Sequence, residues 1–514
     1  MLKRRAITSL LPVLAVGVVL AGAFLAPSRT PFGGVLAACV GYGYGYGYSG
    51  PVVPTVSGVS PNSGTTSGGT TVFITGSGFC DITSAVNYGA TAAASFAILS
   101  DTSIKSTSPA HAAGTVDVTV TNAGGTSATS SADQYTFVAQ VPSVYTALTP
   151  QRVRDTRTDG GTLSQGGSLT ITLGGIYVPA NATAVVLNVT ATNTSKASFF
   201  TVYPTGNSLP TASNLNWIAG ETVPNLVEVG LGTGGNVTIY NGAGTADAVV
   251  DLEGYFAPPG GASTAGEFVP VVPARITDTR AGSGSPNAGS KLGAGATLDV
   301  QVTGTGGIPF AGVDSVVLNV TAVNQTANSF FTVFPTGTSR PTASNLNWTP
   351  GDTVPNRVIV PAGNGGKVSI FNAAGAADVV VDVNGYFTDQ HASGASFTAV
   401  VPARIKDTRT GPGPTGKLGA GATSTLTVAG AGGVPGSGAT AVIINVTVAN
   451  PTTASFLTVY PTGASRPVAS DLNFIAGQAV PNLVVVKLSA GGQINIFNAA
   501  GSTNVIVDVV GWFG

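Results

Sequence analysis

The sequence predicts an all-β protein: one antiparallel sandwich followed by three tandem β-sandwich repeats of Greek-key or jelly-roll kind. Three observations carry this prediction. The segment SFFTVYPTG at 198–206 returns as SFFTVFPTG at 329–337 and SFLTVYPTG at 455–463, so one module is written three times. Short runs such as TVFITG (71–76) and TVDVTVTN (115–122) alternate in polarity and are cut by Gly and Asn turn residues. Helical periodicity is nowhere sustained over the roughly 11 residues that would define a helix.

The chain opens on Lys3, Arg4 and Arg5, then an apolar stretch and small residues up to Ala38. This pattern predicts a signal peptide over 1–38 and a mature protein outside the cytoplasm or on the cell surface. The Arg4-Arg5 pair also admits a twin-arginine reading. Later apolar runs are too short and too broken to span a bilayer, so no membrane span is expected after cleavage. Residues 39–50 form a Gly-Tyr low-complexity linker whose alternate residues lack side chains, either a flexible spacer or a sticky segment. Two cysteines, Cys39 and Cys80, suit an oxidising compartment and a single disulfide; the alternative makes Cys39 a lipidated residue after Leu36-Ala37-Ala38.

From 51 to 139 the period of two and the turn punctuation indicate an antiparallel sandwich. The residues VSGVSPNSGTTSGGTTVFITGSGF (56–79) and GTVDVTVTNAGGTS (114–127) resemble the IPT/TIG family. That resemblance implies an Ig-like fold used as a spacer or binding module in exported proteins.

The repeats are placed at 143–256, 268–387 and 397–514. Each opens on Pro-x-Arg-[Val/Ile]-x-Asp-Thr-Arg, continues through AVVLNVT, SVVLNVT or AVIINVT, then Ser-Asn/Asp-x-Asn-aromatic and Val-Pro-Asn, and closes on Gly with two aromatics. Eight strands are expected per copy, in the first near 143–148, 152–157, 168–173, 183–192, 198–204, 223–231, 236–241 and 247–256. Units of this length exceed the roughly 20–50 residues of propeller blades and solenoid coils. Pearls on a string are therefore expected, joined by the Gly-, Ser- and Pro-rich segments 257–267 and 388–396. These motifs also resemble a module of exported actinobacterial proteins. That resemblance implies export and modularity, and no chemistry.

Only 8% of the 514 residues are charged, and the net charge is −1. Without clustered Lys and Arg there is no footprint for nucleic acid. The few recurring polar groups therefore stand out. Arg152, Asp155 and Arg157 recur as Arg275, Asp278, Arg280 and as Arg404, Asp407, Arg409. They read as a structural ion-pair network, with a carboxylate- or sugar-binding fork as the alternative. The closing Asp251, Asp382 and Asp508 are expected to join that network and tie first strand to last. Asn188, Asn319 and Asn445 sit in the most apolar strand and need hydrogen-bond partners if buried.

The ligand-binding candidates are Asn214, Asn216 and Trp217, with Asn345, Asn347 and Trp348, and Asp471, Asn473 and Phe474. Short amides beside an aromatic suit a glycan by stacking and hydrogen bonding, and they equally make a turn with a core aromatic. On the first reading Asp471 and Phe474 alter ligand preference.

Catalysis is not expected. The two histidines do not recur, and the recurring carboxylates sit beside arginines, which suits an acid catalyst poorly. No Asp-x-Asp-x-Asp calcium loop occurs, so neither metal nor cofactor is expected. The function expected from these residues is structural or adhesive, with weak multivalent binding of cell-wall or extracellular polysaccharide. Other surface proteins are the alternative partners, a ligand-free surface-layer component the alternative role, and a hydrolase a remote one. The oligomeric state is left open.

Overall fold

The strand Ala184–Thr192 of the first repeat is buried on both faces. Val185, Leu187 and Val189 point into the repeat's own core, while Ala184 and Val186 point the other way into a second core. A strand covered on both sides reads as a continuous apolar run, which is why AVVLNVT, SVVLNVT and AVIINVT lack alternation. The second core takes residues from all three repeats, so they close into one body and are not independent beads. This corrects the pearls-on-a-string expectation.

The structure, a computed structural model, describes residues 51–514 apart from 67, 82, 140 and 261–264. The signal segment, the Gly-Tyr tract and Cys39 lie outside the described residues. Cys80 is disulfide-bonded. Among the described residues no helix is long and apolar enough to cross a membrane.

Residues 55–138 form two packed sheets around Val72, Ile74, Phe79, Tyr88, Tyr135 and Phe137. This Ig-like sandwich touches the third repeat, its strand Ser63–Thr65 lying against Phe397–Asp407.

Each repeat is a sandwich of two four-stranded sheets. In the first, the inner sheet runs Val144–Asp155, Asp247–Ala257, Ala184–Thr192, Val223–Gly230 across its width. The outer sheet runs Ser168–Thr172, Asn236–Asn241, Ser198–Pro204, Leu215–Trp217. The other copies repeat this order. Two details differ from the sequence-based strands. The expected pair 143–148 and 152–157 is one strand whose register slips between Ala147 and Gln151, around Pro150, which has no N–H to pair. The short strand Leu215–Trp217 lies in a Ser- and Asn-rich segment that reads as a turn.

The strands beginning Val-Pro-Asn, Val223–Gly230, Val354–Pro361 and Val480–Lys487, touch one another pairwise about a pseudo-threefold axis. At one end of the shared core six rings cluster: Tyr145, Phe256, Phe268, Phe387, Phe397 and Phe513, each at most 3% exposed. Phe256 to Phe397 is 4.1 Å and Phe268 to Phe513 is 4.3 Å between centroids, both pairs joining different repeats. The motif glycines exist for this cluster. A Cβ at Gly254, Gly385 or Gly511 would collide with Tyr145, Phe268 or Phe397. Burying a large apolar ring is worth about 1.5–3 kcal/mol, so separating the repeats would cost on the order of 10 kcal/mol from these rings alone.

Candidate functional site

The opening, middle and closing motifs of one repeat form a single polar row. Strand register sets Arg152 opposite Asp251, Asp251 opposite Asn188, and Asn188 opposite Leu226. Arg152 donates from Nε and Nη2 to both carboxylate oxygens of Asp251, at 2.9 and 3.0 Å. Its Nη1 lies 3.3 Å from Asp155, which Arg157 also holds. Asp155 in turn caps the single helical turn Thr156–Asp159 by accepting from Arg157 N. The other copies repeat the geometry: Arg275 on Asp382 and Asp278, with Arg280; Arg404 on Asp508 and Asp407, with Arg409.

The bonds of Arg157 hold the Asp155 carboxyl below its usual range. Burial pushes Asp278 and Asp407 up, but the bonds and charges of their arginines outweigh it and hold both low. Burial wins at Asp382 and Asp508, which are raised despite their arginine partners.

The row faces the next repeat. Asn188 donates to Ser344 O at 2.7 Å, Asn319 to Ser470 O at 2.7 Å, and Asn445 to Ser213 O at 2.6 Å, which closes the circle. The backbone of the same serines, Ser470 and Ser213, favours the charged forms of Asp382 and Asp508. The Ser-Asn-Leu-Asn-aromatic segment of each copy is thus gripped by its neighbour. A second ring of asparagines locks the first: Asn225 donates to Asn445, Asn356 to Asn188 and Asn482 to Asn319, at 2.9–3.1 Å. Sequence inspection finds Val-Pro-Asn in every repeat but gives Asn225, Asn356 and Asn482 no role; that recurrence is the available signal.

The ligand-binding candidates divide on inspection. Trp217, Trp348 and Phe474 are 3–5% exposed, so their rings belong mainly to the core, and only a margin of each residue reaches the axial cavity. Trp217 packs edge-on against Phe200 and donates Nε1 to Lys196 O at 3.1 Å. Asn214, Asn345 and Asp471 are buried and accept from the backbone N–H of Val202, Val333 and Val459 at 2.7 Å. Asp471 does not tune a ligand site: it forms a buried ion pair with Arg357 of the second repeat. Asn216, Asn347 and Asn473 are half-buried, and each lies 3.2 Å from the serine three residues earlier.

Those last three asparagines line a cavity of about 840 Å³ on the axis, where the turns 216–224, 347–355 and 473–481 converge. Thr222, Thr353 and Gln478 add hydroxyl and amide groups, and the exposed Ile218 and Ile475 supply apolar surface. The size falls within the roughly 300–1,000 Å³ of small-molecule sites. Among the described residues no group of three or more His, Cys, Asp and Glu could hold a metal ion. Glu221 and Asp352 add carboxyls to the cavity wall, whereas Glu228 and Glu253 are buried in the inner sheet of the first repeat and do not line it.

The IPT/TIG domain family matches residues 54–137. No curated protein matches the sequence. Among solved structures, the chain is similar to the surface glycan-binding protein SGBP-B of a Bacteroides uniformis xyloglucan utilization locus: 15% identity, TM-score 0.16, 40% of this chain and 74% of that one. SGBP-B of the Bacteroides ovatus mixed-linkage glucan locus gives 13%, 0.18, 38% and 50%. The Sulfolobus turreted icosahedral virus structure gives 12%, 0.16, 72% and 91%. Matches this distant carry no argument about ligand.

Proposed function

We propose that this protein is a non-catalytic, surface or secreted polysaccharide-binding protein in which three repeats build one composite glycan site. The observation that carries the reading is the axial cavity, lined by the same turns of all three copies. Its hydroxyl and amide groups beside apolar side chains suit sugar hydroxyls, and the Glu221 and Asp352 carboxyls in the wall favour a neutral chain over an acidic one. The multivalency read from the repeats becomes cooperation at one mouth. The predicted signal peptide agrees with a role outside the cytoplasm, on cell-wall or extracellular polymer.

The test is binding of the full mature chain to neutral polysaccharides, compared with an Ala219→Trp, Ala479→Trp variant. Both alanines are exposed on the cavity wall, so the added rings fill it without entering a core. Loss of binding with unchanged thermal stability is the expected result. Failure of the native chain to bind any polymer would instead leave a purely structural surface role.

A further inference from the structure

The outer sheets carry an aromatic pair on their solvent face in every repeat. Phe199 and Tyr240 stand 6.2 Å apart in the first, Phe330 and Phe371 6.4 Å in the second, Phe456 and Phe497 6.4 Å in the third. These rings are partly or fully exposed, unlike Trp217 and its equivalents. In the second and third copies a guanidinium sits over one ring: Arg340 over Phe371 and Arg466 over Phe497, each 3.8 Å from the centroid. The residue of the first copy that corresponds to Arg340 and Arg466 is the exposed Leu209, and Tyr240 corresponds to Phe371 and Phe497.

Every other arginine among the described residues pairs with an aspartate; Arg340 and Arg466 form no ion pair. Both are exposed. A guanidinium held on a ring loses little freedom on binding and keeps its edge donors free, which suits two-point contact with a carboxylate. The uncovered ring of each pair, Phe330 or Phe456, is an apolar surface against which the C–H face of a sugar can lie.

We propose, building on the polysaccharide-binding reading, that Arg340 with Phe330 and Phe371, and Arg466 with Phe456 and Phe497, are two equivalent surface sites for a uronate-bearing polysaccharide. The sugar ring lies on the free phenyl and its carboxylate meets the guanidinium edge. The first repeat, with Leu209, contributes stacking only. The acidic polymer is held on the outer faces; Phe330 also borders the axial cavity, so the second-repeat site adjoins its mouth, whereas Phe456 and the two arginines lie outside it.

The experiment measures retention of the full mature chain on polygalacturonate, dextran sulfate and a neutral polysaccharide that it binds. It compares the native protein with Arg340→Leu, Arg466→Leu and with Leu209→Arg. Leucine already occupies this position in the first repeat, so the double substitution is compatible with the fold. The expected result is salt-sensitive binding to polygalacturonate, lowered about tenfold or more by the double substitution and raised by Leu209→Arg, because tethered sites reinforce one another. Neutral binding stays unchanged in both variants and is lost only on filling the cavity. The site assignment fails if the double variant holds polygalacturonate as well as the native chain does, or if dextran sulfate binds equally well. Neutral binding without any polygalacturonate binding would overturn this inference alone; no binding to any polymer would overturn the underlying reading with it.

Discussion

Arg357 Nη2 lies 2.9 Å from Asp471 Oδ1, both side chains at most 2% exposed, across the contact between the second and third repeats. Each departs from its own sister copies, which carry Leu226 and Leu483 at the first position and Asn214 and Asn345 at the second. The two departures compensate one another. Arg357 also donates to Leu483 O and to Asn384, itself matched by Glu253 and Val510 in the other copies. The contacts between repeats therefore differ: Glu253 pairs with Asn345 and Arg357 with Asp471, while the third copy carries the apolar Val510 at the position of Glu253 and Asn384.

Removing Asp471 alone strands a buried cation. Asp471→Asn is expected to cost about 3–5 kcal/mol, whereas Arg357→Leu with Asp471→Asn returns the contact to the pattern of the other copies and restores most of that loss. Denaturant unfolding of the two single variants and the double gives the coupling energy directly.

Glu253 sets a pH dependence. Burial, reinforced by the nearby Asp251 charge, pushes its carboxyl up to about 8. A group raised in the folded state is stabilising below its unfolded value near 4.3, and that contribution is lost as pH climbs to the folded value. Stability should therefore fall between about pH 4.5 and pH 8. Burial raises Glu228 as well, in the same direction. Glu253→Gln with Glu228→Gln should flatten the slope of unfolding midpoint against pH.

The asparagine ring is uneven. Asn356 Oδ1 accepts from Leu226 N at 3.0 Å and Asn225 Oδ1 from Leu483 N at 3.2 Å, but Asn482 Oδ1 has no partner. Asn356→Ala and Asn225→Ala should each destabilise by about 1 kcal/mol more than Asn482→Ala, since each strands one further buried N–H. Thermal unfolding of the three variants settles the order.

Trp348→Phe is expected to cost about 1 kcal/mol, the hydrogen bond from Nε1 to Ala327 O, and to leave polysaccharide binding unaltered. Phe474 already fills the same position in the third copy. A large loss of binding with stability intact would restore the aromatic to a ligand site.

A first repeat expressed alone would bare Val186, Leu226 and Phe256 to water. It should self-associate or precipitate rather than sediment as a monomer.

The all-β class and the strands were legible because alternation, turn residues and threefold repetition act locally. The pairing of Arg152 with Asp251 was also within reach, since the two motifs are the only recurring opposite charges. The closed arrangement was not. Continuous burial of Val185 to Val189 fits both a strand inside one sandwich and a strand between two, and periodicity does not separate them. Trp217 could be read as core or ligand platform for the same reason: composition reports a residue's chemistry, and only the neighbouring strand decides which way it points. Phe330 and Phe371 escaped notice because 41 residues separate them in sequence and one hydrogen-bonded ladder joins their strands in space.

The three repeats meet as the subunits of a trimer would, yet peptide bonds join them. A trimer of separate chains falls apart when scarce, and any substitution in it appears at all three positions together. Here neither holds. The arrangement persists at any dilution, because the segments between repeats fix the local concentration of each partner. A single position such as 357 could acquire a charge while its two counterparts stayed apolar, which is how one axis came to carry three unlike contacts.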